Sequence, residues 1–110
     1  MAFFEVAKTN EIPQGTMKSF TVSGKDILIA NYKGKYYAIA NRCSHMNGDL
    51  SKGKLEGKIV TCPRHGSQFD ITTGISLRGP KIGFLNLKTK NEPVYEVKID
   101  GDIISVSVLE

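Results

Sequence analysis

Val94-Tyr95-Glu96-Val97-Lys98-Ile99-Asp100-Gly101-Asp102-Ile103-Ile104-Ser105-Val106-Ser107-Val108 is the stretch that decides the fold class. Tyr95, Val97 and Ile99 fall on one face of an extended strand, and Asp100-Gly101-Asp102 reverses the chain. Ile104, Val106 and Val108 then alternate with Ser105 and Ser107. Alternation with period two on both sides of a Gly-bearing reversal predicts a β-hairpin, each arm turning one apolar face to a core.

The same grammar runs upstream. Phe4-Glu5-Val6 begins a strand that stops at the Pro/Gly turn of residues 10–15. Residues 18–22 read as a strand with Phe20 and Val22 on one face, and Ser23-Gly24-Lys25 turns it into a strand over residues 26–32. Lys33-Gly34-Lys35 reverses that strand into residues 36–40. Ile59-Val60-Thr61 and residues 68–71 are shorter β-rich runs. Between residues 81 and 94, Phe84, Leu85 and Leu87 alternate in part, which suits an extra strand or a longer hairpin arm. No amphipathic pattern sustains three helical turns, and no repeat or low-complexity stretch is present. The expectation is an all-β domain spanning residues 1–110.

At 110 residues, 40% apolar and 24% charged, the composition is that of one globular domain with a modest core. No apolar run approaches the ~18 residues of a membrane helix, and the start has no basic segment followed by a long apolar one. A cytoplasmic protein without membrane contact is expected. The net charge is +4, and between residues 42 and 65 Arg42, Lys52, Lys54, Lys58 and Arg64 stand against Asp49 and Glu56. Charge of one sign there would guide an acidic partner. The absence of a basic stripe interleaved with aromatics makes nucleic acid a weaker candidate, and no nucleic-acid partner is expected.

The chain has two cysteines and two histidines, placed as Cys43-Ser44-His45 and Cys62-Pro63-Arg64-His65. Two thiolates and two imidazoles carried by two loops make a four-ligand site for a soft metal. Structural zinc uses the same donors, although its motifs usually put two to four residues between paired ligands. A Cys–His nucleophile pair is a third reading, which leaves the second pair without a purpose.

The pattern C-x-H followed by C-P-x-H-G-S resembles the Rieske iron–sulfur proteins. Gly66-Ser67, Phe69-Asp70, Thr73-Gly74 and Gly79-Pro80 continue the likeness. The resemblance implies a small antiparallel barrel or sandwich with a cluster-binding subdomain made by loops at about 41–50 and 62–70. It implies one [2Fe–2S] cluster per chain, with Cys43 and Cys62 on the inner iron and His45 and His65 on the outer. Met46, Arg64, Gly66, Ser67, Phe69 and Pro80 would surround it. Two neutral imidazoles leave the oxidised cluster formally uncharged, so an electron enters more readily than into a four-thiolate dianion. The high-potential branch adds a disulfide between the loops and Ser and Tyr hydroxyls on the cluster sulfurs. Here the disulfide positions correspond to Gly48 and Arg64, Ser67 is kept, and the Tyr position holds Phe69, which implies a low potential.

The resemblance thus implies a free-standing, monomeric Rieske-type ferredoxin, an electron carrier and not an enzyme. It would pass one electron from a reductase to an oxygenase or another acceptor. The alternatives are a Rieske-like small subunit of a larger enzyme such as nitrite reductase, and a zinc-stabilised interaction module.

Overall fold

The computed structural model describes residues 2–43, 48–64, 66–78, 81–82, 85–86 and 90–108. Among them the hairpin of the C-terminal stretch forms as expected, from β11 (Val94–Asp100) and β12 (Ile103–Val108), paired antiparallel from Glu96↔Ser107 to Asp100↔Ile103. The earlier strands are β1 (Ala2–Lys8), β2 (Met17–Val22), β3 (Lys25–Tyr32) and β4 (Lys35–Ala40). The two tight reversals between β2, β3 and β4 place both central residues at positive φ: Ser23 at 51° with Gly24 at 79°, and Lys33 at 54° with Gly34 at 85°. That twist matches the twist of the flanking strands, and glycine meets the second position at no steric cost.

These six strands make one antiparallel sheet in the order β1-β12-β11-β4-β3-β2, nearly closed into a barrel. A second sheet, β5-β6-β7-β8, is built from β5 (Lys54–Glu56), β6 (Ile59–Thr61), β7 (Gln68–Asp70) and β8 (Ser76–Arg78). In the 81–94 connection, β9 (Lys81–Ile82) pairs antiparallel with β10 (Leu85–Asn86), which answers the expected hairpin arm; Phe84 and Leu87 lie outside the described residues. Helical structure among the described residues is confined to the 3₁₀ turns Thr9–Glu11 and Leu50–Lys52. Neither is long and apolar enough to cross a membrane.

β3 joins the two sheets into one body. Its run Ile27-Leu28-Ile29-Ala30-Asn31 is buried on both faces. Ile27 and Ile29 point into the barrel with Ile12, Val22, Ala38, Ile104, Val106 and Val108. Leu28 and Ala30 point the other way, against Leu50, Val60, Phe69 and Ile71. Each fully buried aliphatic side chain contributes about 1.5–3 kcal/mol. One strand is therefore the wall between two cores.

Two details depart from expectation. Ile99 shares a face with Tyr95 and Val97 yet stays 44% exposed, because β11 pairs with β4 only at Val94↔Ile39 and Tyr95↔Ala38. Beyond that point Ile99 lines an open cavity together with Lys35, Tyr36 and Tyr37 of β4. β5 and β8 were not expected; each is three residues long and exists through pairing with β6 or β7.

Candidate metal centre

Two loops carry the Cys–His pairs, and each is closed by backbone bonds at its base. In the first, Arg42 and Asp49 form an antiparallel bridge, Cys43 N donates to Gly48 O at 2.8 Å, and Leu50 N donates to Asn41 O at 2.9 Å. Arg42 Nε donates to Asp26 Oδ2 at 2.8 Å, and Asn41 N donates to Asp26 O at 3.0 Å. Those bonds moor the loop to the start of β3. The second loop is the β6–β7 hairpin itself. Thr61 pairs with Gln68, Cys62 N donates to Ser67 O at 2.7 Å, and Gly66 N donates to Cys62 O at 3.2 Å, with Gly66 at φ 79°.

The folding of these loops brings Cys43 and Cys62 together in the core on the Leu28 side of β3, each 3% exposed, beside Leu50, Phe69 and Ile71. The loops touch directly. A Cβ added to Gly48 would stand 2.7 Å from Cys62 Sγ and 3.4 Å from Arg64 Cγ, so any side chain at 48 would press on that sulfur. Positions 48 and 64 are thus neighbours, as the resemblance implied, and neither carries a thiol. Arg64 is exposed, and its stem lies over Gly48. Ser67 is buried, and its Oγ has no hydrogen-bond partner among the described residues. Phe69 is wholly buried and lends an apolar ring. His45, His65, Met46 and Pro80 lie outside the described residues.

The donor set fits the group that the resemblance implies. Two buried sulfurs on touching loops suit a compact metal centre. An unpartnered buried hydroxyl, costly when left unbonded, suits an acceptor sulfur.

Several residues that shape the site are not evident from the ligand pattern. The Asp49 carboxylate accepts hydrogen bonds from Asn41 Nδ2 at 2.8 Å, Ser51 N at 3.1 Å and Ser51 Oγ at 2.6 Å. Burial pushes this carboxyl up, but the bonds from Ser51 and Asn41, with Arg42 nearby, outweigh it and hold the group below the usual carboxylate range. The Asp-x-Ser spelling of an Asx turn was the available signal. Gly53 is a second: a Cβ there would fall on Thr61 O and lie 3.2 Å from Pro63 Cδ, so Lys52 and Lys54 flank the second loop.

Comparison with known proteins agrees with this geometry. The family profile described as the Rieske [2Fe-2S] domain matches residues 2–89. The chain is 36% identical over 98 residues to the ferredoxin component of a naphthalene 1,2-dioxygenase system of Pseudomonas aeruginosa, covering 89% of this chain and 88% of the relative. It is 30% identical over 108 residues to the ferredoxin component of a biphenyl 2,3-dioxygenase of Rhodococcus jostii (strain RHA1), covering 98% and 94%. Among solved structures, the ferredoxin of carbazole 1,9a-dioxygenase from Nocardioides aromaticivorans IC177 superposes with a TM-score of 0.80 at 27% identity, over 97% of this chain and 98% of that one. With the profile and these full-length likenesses added to two buried thiols on touching loops, the chain belongs to the Rieske [2Fe–2S] family, as a ferredoxin that carries one electron at a time.

Proposed function

We propose that this ferredoxin takes electrons from a reductase and delivers them to the oxygenase of a dioxygenase system, acting as a monomeric cytoplasmic carrier and not as a catalyst. Residues 1–110 form its single domain. Cys43 and Cys62 hold one iron and His45 and His65 the other. The relatives among ferredoxin components of naphthalene and biphenyl dioxygenases support this partner class. The observation that carries the site is the meeting of two buried cysteines under two pinned loops, beside the unpartnered Ser67 hydroxyl.

Bound there, a [2Fe–2S] cluster with two thiolates and two imidazoles supplies a one-electron couple in the range of about −150 to +300 mV. The chain's own residues set where in that range it falls. Leu28, Leu50, Phe69 and Ile71 exclude water from the cysteine side, so charge added there is poorly screened. Ser67 Oγ is placed as a single donor, and Phe69 offers none, which supports a low potential. Arg64 is exposed, so its charge is screened and counts little.

Cys62→Ser tests the assignment. The variant should lose the visible absorption of the cluster together with its iron and inorganic sulfide. Full retention of both would remove Cys62 from the ligand set, and a colourless wild-type protein holding zinc would remove the cluster. Electron delivery is tested by reconstitution with a dioxygenase reductase and oxygenase, where product formation should depend on this protein.

A further inference from the structure

We infer that Asp49 is a positioning residue for the first ligand loop, acting through a lock it forms with Asn41 and Ser51. This rests on the assignment of Cys43 and His45 as ligands. The loop leaves the barrel at Asn41 and returns at Asp49, so whatever fixes these ends relative to each other fixes the ligands between them. Backbone bonds from Cys43 to Gly48 and from Leu50 to Asn41 bring the ends together. The side chains then close around one oxygen. Asp49 Oδ1 receives Asn41 Nδ2 at 2.8 Å, Ser51 Oγ at 2.6 Å and Ser51 N at 3.1 Å, while Ser51 N also donates to Asn41 Oδ1 at 3.0 Å.

Both ends of the Asn41 amide are used, so it has one orientation: turned over, its oxygen would face the carboxylate. Asn41 is 1% exposed, so its polar atoms depend on these bonds. The lock is local. Its three members lie between residues 41 and 51 and take their side-chain bonds from one another. Among the described residues, hydrogen bonds tie this segment to β3 at Asp26, through Arg42 and Asn41, and Leu50 packs against Leu28 on the side of β3 away from the barrel interior. Loosening it should therefore free the loop without loosening β12.

The test compares the wild-type holoprotein with Asp49→Ala, Asp49→Asn, Ser51→Ala and Cys43→Ser. Cluster loss to excess chelator is followed by visible absorbance, and the reduced-state electron paramagnetic resonance spectrum and the hydrogen exchange of β12 amides are recorded on each. Losing bonds to a charged acceptor should speed cluster loss about tenfold in Asp49→Ala and about threefold in Ser51→Ala. Asp49→Asn keeps an oxygen in the same place and should stay within about twofold of wild type. The resonance lines should broaden in the Ala variants as the loop samples more geometries, with β12 protection unchanged.

Wild-type rates and line shapes in both Ala variants would overturn the inference. So would a loss of β12 protection matching the gain in rate, or a failure of Asn to rescue. Should Asp49→Ala yield no holoprotein, Ser51→Ala decides, since it removes one hydroxyl and no charge. Cys43→Ser separates the two claims. A fully loaded Cys43→Ser protein defeats the ligand assignment. A colourless one beside unaffected Ala variants defeats only the lock.

Discussion

The Ser67 hydroxyl is buried without a partner among the described residues, 1% exposed and one residue before β7. An unbonded buried hydroxyl normally costs about 1–3 kcal/mol. Ser107 Oγ in β12 is another, but Ser67 lies on the second ligand loop, where an acceptor that the described residues do not supply would bond it. A cluster or cysteine sulfur is such an acceptor, and a bond to it favours the more negative reduced state. Ser67→Ala should lower the midpoint potential by roughly 20–65 mV, which is a hydrogen bond's net 0.5–1.5 kcal/mol carried over one electron. Voltammetry checks this, and an unmoved midpoint would mean the hydroxyl does not address the cluster. Asp70 shows a different residue-scale device. Burial raises its carboxyl, but the Thr72 hydroxyl at 2.6 Å, the Thr72 N–H at 2.8 Å and Lys58 outweigh that and hold it below its ordinary value. A depressed native value means stability that is present above the unfolded value of about 3.9 and lost as pH falls through the native one. Urea midpoints of wild type and Asp70→Asn should therefore differ most at pH 7 and less at pH 3. An equal gap at both would show that the charge of Asp70 contributes nothing.

At the scale of elements, β3 decides how the barrel and the metal centre share stability. Leu28 and Ile29 are adjacent and both fully buried, yet Leu28 faces the cysteines and Ile29 faces the barrel. Each Ala substitution should cost about 2–5 kcal/mol in holoprotein unfolding. Only Leu28→Ala should also hasten cluster loss beyond what that destabilisation explains, because its cavity opens beneath the ligand loops. Equal loss rates at equal stability would show that the two cores are not separate. The long strands were legible in the sequence because β1 to β4, β11 and β12 each carry enough apolar periodicity or a Gly-bearing reversal to announce themselves. β5 and β8 were not legible. Lys54-Leu55-Glu56 offers one apolar residue, and Ser76-Leu77-Arg78 turns Leu77 outward at 49% exposure, so only their register with β6 and β7 makes them strands. The ligand pairs stood out because Cys and His are spent nowhere else. The Asp49 lock did not, since its signal is half local and half a contact with Asn41 eight positions back.

For the molecule as a whole, the surplus of basic residues around the loops looks uniform in the sequence and is not uniform in space. Arg42 is paired with Asp26 at 2.8 Å, and Lys58 reaches Asp70 at 3.5 Å. Lys52, Lys54 and Arg64 are exposed and meet no carboxylate among the described residues. Gly53, between the two lysines, lies against Thr61 and Pro63, and Lys54 pairs with Thr61, beside the second ligand loop. The field of the two lysines therefore lies beside the second ligand loop. An acidic partner surface would be drawn there, with the ligand loop facing it. Raising ionic strength from about 0.01 M to about 0.1 M shortens the Debye length from about 30 Å to about 10 Å, so second-order electron transfer to such a partner should slow. Lys52→Glu with Lys54→Glu should cut the low-salt rate by about tenfold or more and flatten its salt dependence. Lys58→Gln, which removes a charge already engaged by Asp70, should change the salt slope much less. Stopped-flow rates over that salt range decide between three patterns. A steep slope lost only in the lysine pair locates the docking edge at residues 52–54. A slope lost equally in Lys58→Gln assigns the effect to net charge. A rate indifferent to salt in the wild type means that partners recognise another face.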